Sequence, residues 1–195
     1  MPVFWLFLIV LGVAAIGFVV GRGRALASAG GDSRNLHSLP VYYGSNVGLK
    51  AVVPAFLALI VWLLVQPLIV NQQVSGMIPD SSVREGSSLG LVMAEVRRTA
   101  DGIDTAIDAG LMTETEARDL RADFTDVTQR LKDAGAIITS DVTQTTLRAA
   151  QSYRVLNSTG YMAMTVVVIL LAIAGALWGL RESHAVFRAR NVVEQ

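Results

Sequence analysis

The sequence contains no cysteine. Disulfides, thiolate metal sites and a cysteine nucleophile are therefore excluded together. Charge is scarce as well. Only 16% of the 195 residues are Asp, Glu, Lys or Arg, against roughly 25% in a soluble domain. Sixteen basic side chains cancel sixteen acidic ones, so net charge points to neither nucleic acid nor an acidic partner. The two histidines, His37 and His184, stand alone, and neither has a second ligand at zinc spacing. No G-x-x-x-x-G-K-[ST] phosphate loop occurs. The chain is thus expected to carry no cofactor, no metal and no enzymatic activity of its own. What it has in quantity is apolar surface, 52% hydrophobic residues, which argues against both disorder and a single soluble globule.

Three apolar runs match the roughly 20 residues that a helix needs to cross a bilayer. Val3 to Val20 has no charge. Ala51 to Val70 is interrupted only by Pro54, Gln66 and Pro67. Tyr161 to Leu180 is again uncharged. The first run could be mistaken for a secretory signal, because Ala25-Leu26-Ala27 resembles a cleavage site. Its charges are reversed for that role: nothing basic precedes it, and Arg22 and Arg24 follow it. It reads as an uncleaved membrane helix.

Basic residues near the segment ends set the orientation. The first loop holds Arg22, Arg24 and Arg34, with Lys50 at the mouth of the second helix, against Asp32 alone. The tail holds Arg181, Arg188 and Arg190 against Glu182 and Glu194. The long stretch 71–159 has nine basic and thirteen acidic residues. This predicts transmembrane helix 1 within 1–20, a cytoplasmic loop over 21–46 and helix 2 over 47–70. An extracytoplasmic domain follows over 71–159, then helix 3 over 160–180 and a cytoplasmic tail over 181–195. The N-terminus and the long loop lie outside. The fold class is an all-α membrane protein, multi-pass in a bacterial cytoplasmic membrane and embedded in lipid.

The long loop reads as helical. Ser82-Val83-Arg84-Glu85 has the pattern of a capping box, and Leu89, Val92, Val96, Ile103 and Ile107 recur at helical spacing up to Gly110. Thr113 to Glu116 is a second capping box. It opens a helix carrying Ala117, Leu120, Phe124, Val127 and Leu131, which stops near Gly135. Glu114 with Arg118, and Asp126 with Arg130, are acid-before-base pairs at i,i+4. A third helix is predicted from about Ser140 to Leu156. Asp101, Asp104 and Asp108 share a face that reads as solvated rather than as a cation site, and Arg97-Arg98 reads as a solvated pair.

Ionisable side chains inside a bilayer mark ion paths and proton relays, and the three apolar runs contain none. They are built to anchor or to pack. Gly17 with Gly21, and Gly175 with Gly179, form two small-xxx-small pairs. Under the assigned topology both lie at similar depth, so a parallel contact between the first and third membrane helices is expected.

The segment Leu36-His37-Ser38-Leu39-Pro40-Val41-Tyr42-Tyr43-Gly44 leads into a helix with Pro54 in its first turns. It resembles the L-H-S-x-P-x-Y-Y-G stretch in the N-terminal extension of long bacterial forms of the phosphate ABC transporter permease PstC. Residues 187–195 resemble that family's approach to its permease core. The core itself is not in this chain, and a charged tail reaching Gln195 is expected to lead into a further membrane helix. The resemblance implies import of inorganic phosphate driven by ATP hydrolysis on a separate ATPase subunit. Its implied partners are the remainder of the permease, a second permease subunit, that ATPase and an extracytoplasmic phosphate-binding protein. No substrate-binding residue can be carried over. Two other readings stay open at this point: a membrane sensor of the chemoreceptor kind, and a stand-alone accessory membrane protein.

Overall fold

A computed structural model describes residues 3–79, 88–122, 126–138, 141–184 and 186–194. Among these the chain forms seven α-helices and no strand: α1 (Val3–Ser28), α2 (Pro40–Ser75), α3 (Leu89–Asp108), α4 (Glu114–Asp119), α5 (Val127–Asp133), α6 (Gln144–Glu182) and α7 (Ala189–Val193). A short 3₁₀ turn, Ser33–Asn35, precedes α2. Helices α1, α2 and α6 are each long and apolar enough to cross a membrane. The protein is an all-α membrane protein. Its contacts divide it into two compact units, Met1–Leu64 with Tyr161–Gln195, and Val65–Gly160.

The first unit is a three-helix packing. In α2 the buried residues Tyr43, Val47, Ala51, Ala55 and Leu59 recur every fourth position, one stripe on a 3.6-residue helix. From α1, Leu6 and Val10 join Ala55 and Leu59, and from α6 come Met164, Val168 and Ala172. The stripes are narrow. Phe4, Trp5, Ile16, Leu64, Leu170 and Trp178 point outward and are exposed. That distribution suits a solvent of acyl chains, which stabilises apolar side chains on the outer face as well as protein does.

The second unit has two apolar centres. Val70 and Val74 of α2 pack with Met93, Val96 and Ala100 of α3 and with Ala149 and Ala150 of α6. Ile103, Ala106, Ala117, Leu120, Leu131 and Leu147 form the other centre. Helices α3 and α5 stop the same way. Gly110 (φ +70°) and Gly135 (φ +86°) adopt the left-handed conformation. Leu111 N–H then bonds Ala106 O, and Ala136 N–H bonds Leu131 O, both at 3.0 Å. These bonds satisfy carbonyls that a helix end leaves without donors.

Several expectations change. The predicted helix from Thr113 to Gly135 is two helices, because Leu120 leaves α4 in an extended conformation (ψ 134°). Asp126 then caps a new helix, its Oδ1 accepting from Gln129 N–H at 2.9 Å. Asp126, seven positions after the last residue of α4, was the available signal. The predicted third domain helix and the third membrane helix are one 39-residue element, α6, in which residues 158–160 continue the helix. Helix α1 extends eight residues beyond Val20, to Ser28, and α2 starts at Pro40 rather than near 47. Pro40 suits a first helical position, where its missing N–H costs nothing. The pattern at 82–85 and Phe124 lie outside the described residues. The cap of α3 is Ser88, whose Oγ accepts from Leu91 N–H.

Candidate functional site

Polar side chains concentrate where the stretch 36–50 meets residues 178–194, at the end of the first unit's apolar runs. Tyr43 is fully buried, and its hydroxyl donates to Phe187 O at 2.7 Å. Tyr42 donates to Glu194 Oε1 at 2.9 Å. Arg190 closes on the same carboxylate with Nε at 3.0–3.1 Å from its oxygens. Arg190 N–H donates to Ser38 Oγ at 3.2 Å. Leu36 and Phe187 pack against a small centre of Ala25, Tyr43 and Ala189. The Tyr42 hydroxyl, and then Arg190, hold the Glu194 carboxyl below the ordinary carboxylate value. His37 is exposed in the turn before α2.

The predicted motif thus has a physical reading. Ser38, Tyr42 and Tyr43 grip the tail, Leu36 packs beneath it, and Pro40 opens α2. Gly44 lets α2 pass α1 closely: a Cβ there would lie 2.7 Å from Phe18 O, a distance that real Cβ atoms do not show. The motif is a clasp between the first loop and the tail.

A second layer lies one turn further along α2. Lys50 forms an ion pair with Glu182 and sits 4.8 Å from the ring centroid of Trp178. Asn46 is buried, and its Nδ2 donates to Glu182 Oε2 at 3.4 Å. Lys50 and Glu182 border the apolar runs of α2 and α6, so the pair marks the same membrane boundary from both helices. In the sequence the two residues are only orientation charges, because nothing local pairs positions 132 apart.

Both glycine pairs pack against α2, and Gly17 also faces α6, where its Cβ would lie 3.9 Å from Ala176 Cβ. A Cβ on Gly17 or Gly21 would strike Val47 side-chain atoms at 2.9 and 2.6 Å, and one on Gly179 would lie 2.7 Å from Val47 Cα. A Cβ on Gly175 would collide with the Lys50 carbonyl. Both pairs are therefore notches for α2, with Val47 seated between them. Two facing small-residue pairs in parallel helices were equally able to receive a third helix, and that helix supplies a β-branched side chain at their level.

In the other unit, Gln66 is buried, and its Nε2 donates to Asn157 Oδ1 at 2.9 Å and Asn157 O at 3.1 Å. Arg154 bridges Asp104 (2.7 Å) and Glu114 (3.0 Å). The aspartate face of α3 is thus partly spent on an arginine, and Glu114 pairs with Arg154 from the first turn of α4. Burial, and then Asp104, raise the Asp101 carboxyl above its ordinary value. Arg97 Nη1 donates to Asn71 Oδ1 at 3.4 Å. Residues 86–90 fit a G-x-S-x-G spacing, but the Ser88 hydroxyl serves as the α3 cap. Among the described residues, no three histidine, aspartate or glutamate side chains converge at metal-binding distance.

This arrangement can hold a tail, join helices and present a boundary charge pair. The three apolar runs themselves carry no Asp, Glu, Lys, Arg or His. No curated protein and no solved structure matches the chain. A family model described as phosphate ATP-binding cassette transporter matches residues 6–177, from the first turn of α1 to the last turns of α6. The chain belongs to this phosphate ATP-binding cassette transporter family.

Proposed function

We propose that this chain is the N-terminal membrane scaffold of a PstC-type permease that imports inorganic phosphate. ATP hydrolysis would fall to a separate subunit, and the chain itself would do no chemistry. The remainder of the permease, a second permease subunit and an extracytoplasmic phosphate-binding protein complete the assembly. The N-terminus and the stretch 71–159 face outward across the bacterial inner membrane, and the first loop and tail face inward, as the positive-inside rule predicts.

The observation that carries this reading is the clasp. Residues 36–44 resemble the PstC stretch, and they spend polar groups on Phe187, Arg190 and Glu194. A scaffold that grips its own tail sets the angle at which a following permease helix would enter the bilayer. The absence of ionisable groups from the apolar runs agrees with a supporting role beside a transport path.

Affinity purification of the full-length protein from native membranes tests the proposal. Recovery of the ATPase and the second permease subunit is the expected result, with phosphate uptake lowered by Tyr43→Phe. Recovery of a histidine kinase or a methyl-accepting module would overturn it in favour of a sensor. The one observation on the sensor's side is the unbroken α6, which could carry a displacement of the 65–160 unit along its length. Purification alone, with uptake unchanged, would leave a stand-alone accessory protein.

A further inference from the structure

Beside the ion pair of the first unit lies an open cleft of about 540 Å³. Leu49, Val53 and Pro54 of α2 form one wall, Leu171 and Ala174 of α6 the other, and Val192 of α7 borders it. Lys50, Trp178 and Asn46 line its polar end. It is apolar along the membrane run and polar only at the boundary. Its volume falls in the range of about 300–1,000 Å³ that suits small ligands. It would admit little more than one turn of a helix about 10 Å across, so a chain-like molecule fits it better than a partner helix.

Asn46 makes the site specific. The side chain is 1% exposed, and its Oδ1 has no hydrogen-bond donor among the described residues. The amide cannot simply be turned over, because Nδ2 is the atom that faces the Glu182 carboxylate and an oxygen there would be repelled. A buried acceptor left unpaired is costly. The cleft therefore calls for an N–H or O–H donor from its occupant. Lys50 has three N–H donors; one engages Glu182, and the ammonium sits over Trp178. Lys50 is the charged residue that lines the cleft, and its charge is already met by Glu182, so the rim holds no excess positive charge and suits a zwitterion better than an anion.

We propose that the cleft binds a single phospholipid of the phosphatidylethanolamine class, whose head group carries both a phosphate and a primary ammonium. The ammonium donates to Asn46 Oδ1, the phosphate accepts from Lys50, and the upper acyl chain lies against Val53 and Leu171. Phosphatidylcholine has the same charge but no N–H donor. Phosphatidylglycerol has hydroxyl donors but a net negative charge, which Glu182 opposes. The site is independent of the transport reading.

Native mass spectrometry of the full-length protein in detergent tests it. The probes are phosphatidylethanolamine, its mono- and dimethyl derivatives, phosphatidylcholine and phosphatidylglycerol, all with identical acyl chains. Methylation removes donors one at a time and keeps the charge. Affinity should fall along the series, by about tenfold from ethanolamine to choline, or about 1.4 kcal/mol. Asn46→Leu should bring the ethanolamine lipid down to the choline level. The methylation series on the unaltered protein gives the answer even if that variant folds poorly. Equal affinities along the series would overturn the proposal and leave a water or a nonspecific annular lipid at Asn46. Tightest binding of phosphatidylglycerol would overturn it as well. A photoreactive side chain at Ala174 should crosslink to lipid in native membranes; a protein adduct would make the cleft a helix-docking surface instead.

Discussion

Tyr43 and Phe187 are separated by 144 positions, and the hydroxyl of the one donates to the backbone carbonyl of the other at 2.7 Å. The bond ties the second residue pair of a sequence motif to a tail that the motif gives no hint of. It also gives the motif a testable energy. Tyr43→Phe keeps the ring and strands the Phe187 carbonyl, which should cost about 1–3 kcal/mol. The check is thermal unfolding in detergent together with proteolysis of the tail. The tail should be cut faster in the variant, and identical cleavage would show that the bond does not hold it.

The glycines of the notch can be ranked by what a methyl group would meet. Gly175→Ala drives Cβ into the Lys50 carbonyl, and Gly179→Ala drives it toward Val47 Cα. Neither obstacle is a flexible side chain, so each change should destabilise by about 1–3 kcal/mol. Gly12→Ala meets nothing within 4 Å. It should be neutral or stabilising, since alanine favours a helix by about 1 kcal/mol over glycine. Unfolding of the three variants in one detergent decides the matter, and equal loss at all three positions would refute the notch.

Arg154 is a two-sided clamp with a side chain 10% exposed, between Asp104 and Glu114 at 57% and 59%. Solvent screens the two carboxylates, so each pair taken alone is expected to contribute under about 1 kcal/mol. The guanidinium fork is what serves both at once. Arg154→Lys should therefore lose most of the coupling despite keeping the charge. Double-mutant cycles of Arg154 with Asp104 and with Glu114 would measure it, and a lysine variant with full coupling would show that charge alone suffices.

Two carboxylates of the 65–160 unit should give opposite pH slopes. Backbone and then hydroxyl donation from Thr113 lower the Glu116 carboxyl below 4.5. With a depressed folded value, its stabilisation is present above the unfolded value and is lost as pH falls through the folded one. Burial, and then Asp104, raise Asp101 above 3.8. Its contribution is present below the unfolded value and is lost as pH rises through the folded one. Glu116→Gln should flatten the acid limb of a stability-versus-pH curve, and Asp101→Asn should remove the opposing slope. NMR titration of both carboxyls checks the directions, and an unshifted Glu116 would mean that the capping box does not persist in solution.

Much of the architecture was legible beforehand, for reasons that are local. Val3 to Val20 has no charge, and the bilayer's thickness turns that into a helix. Thr113 and Glu116 are three positions apart, and both capping bonds form, at 2.7 and 3.2 Å. Gly110 and Gly135 ended helices where the apolar period ran out. The break at Leu120 was not legible. Its apolar spacing suits one helix as well as two, and the end of α4 is met from α6, where Gln151 Nε2 donates to the Ala117, Arg118 and Leu120 carbonyls. The continuity of α6 was hidden for the opposite reason: the change from polar to apolar composition near Gly160 alters the environment and not the backbone.

The sequence by itself determined the class of the protein and its three membrane helices. Each follows from composition or from residues within a few positions of one another. Tertiary structure alone decided what those parts touch. Gly17, Gly21, Gly175 and Gly179 were recognisable as two small-xxx-small pairs, yet what they admit is α2, by Val47 at three of them and by the Lys50 carbonyl at Gly175. Lys50 and Asn46 were recognisable as polar residues at a helix mouth, yet Glu182 joins them from another helix. A small residue or a charge carries no address along the chain. Its partner is set by which helices come side by side and at what depth, and that depends on the summed packing of all three.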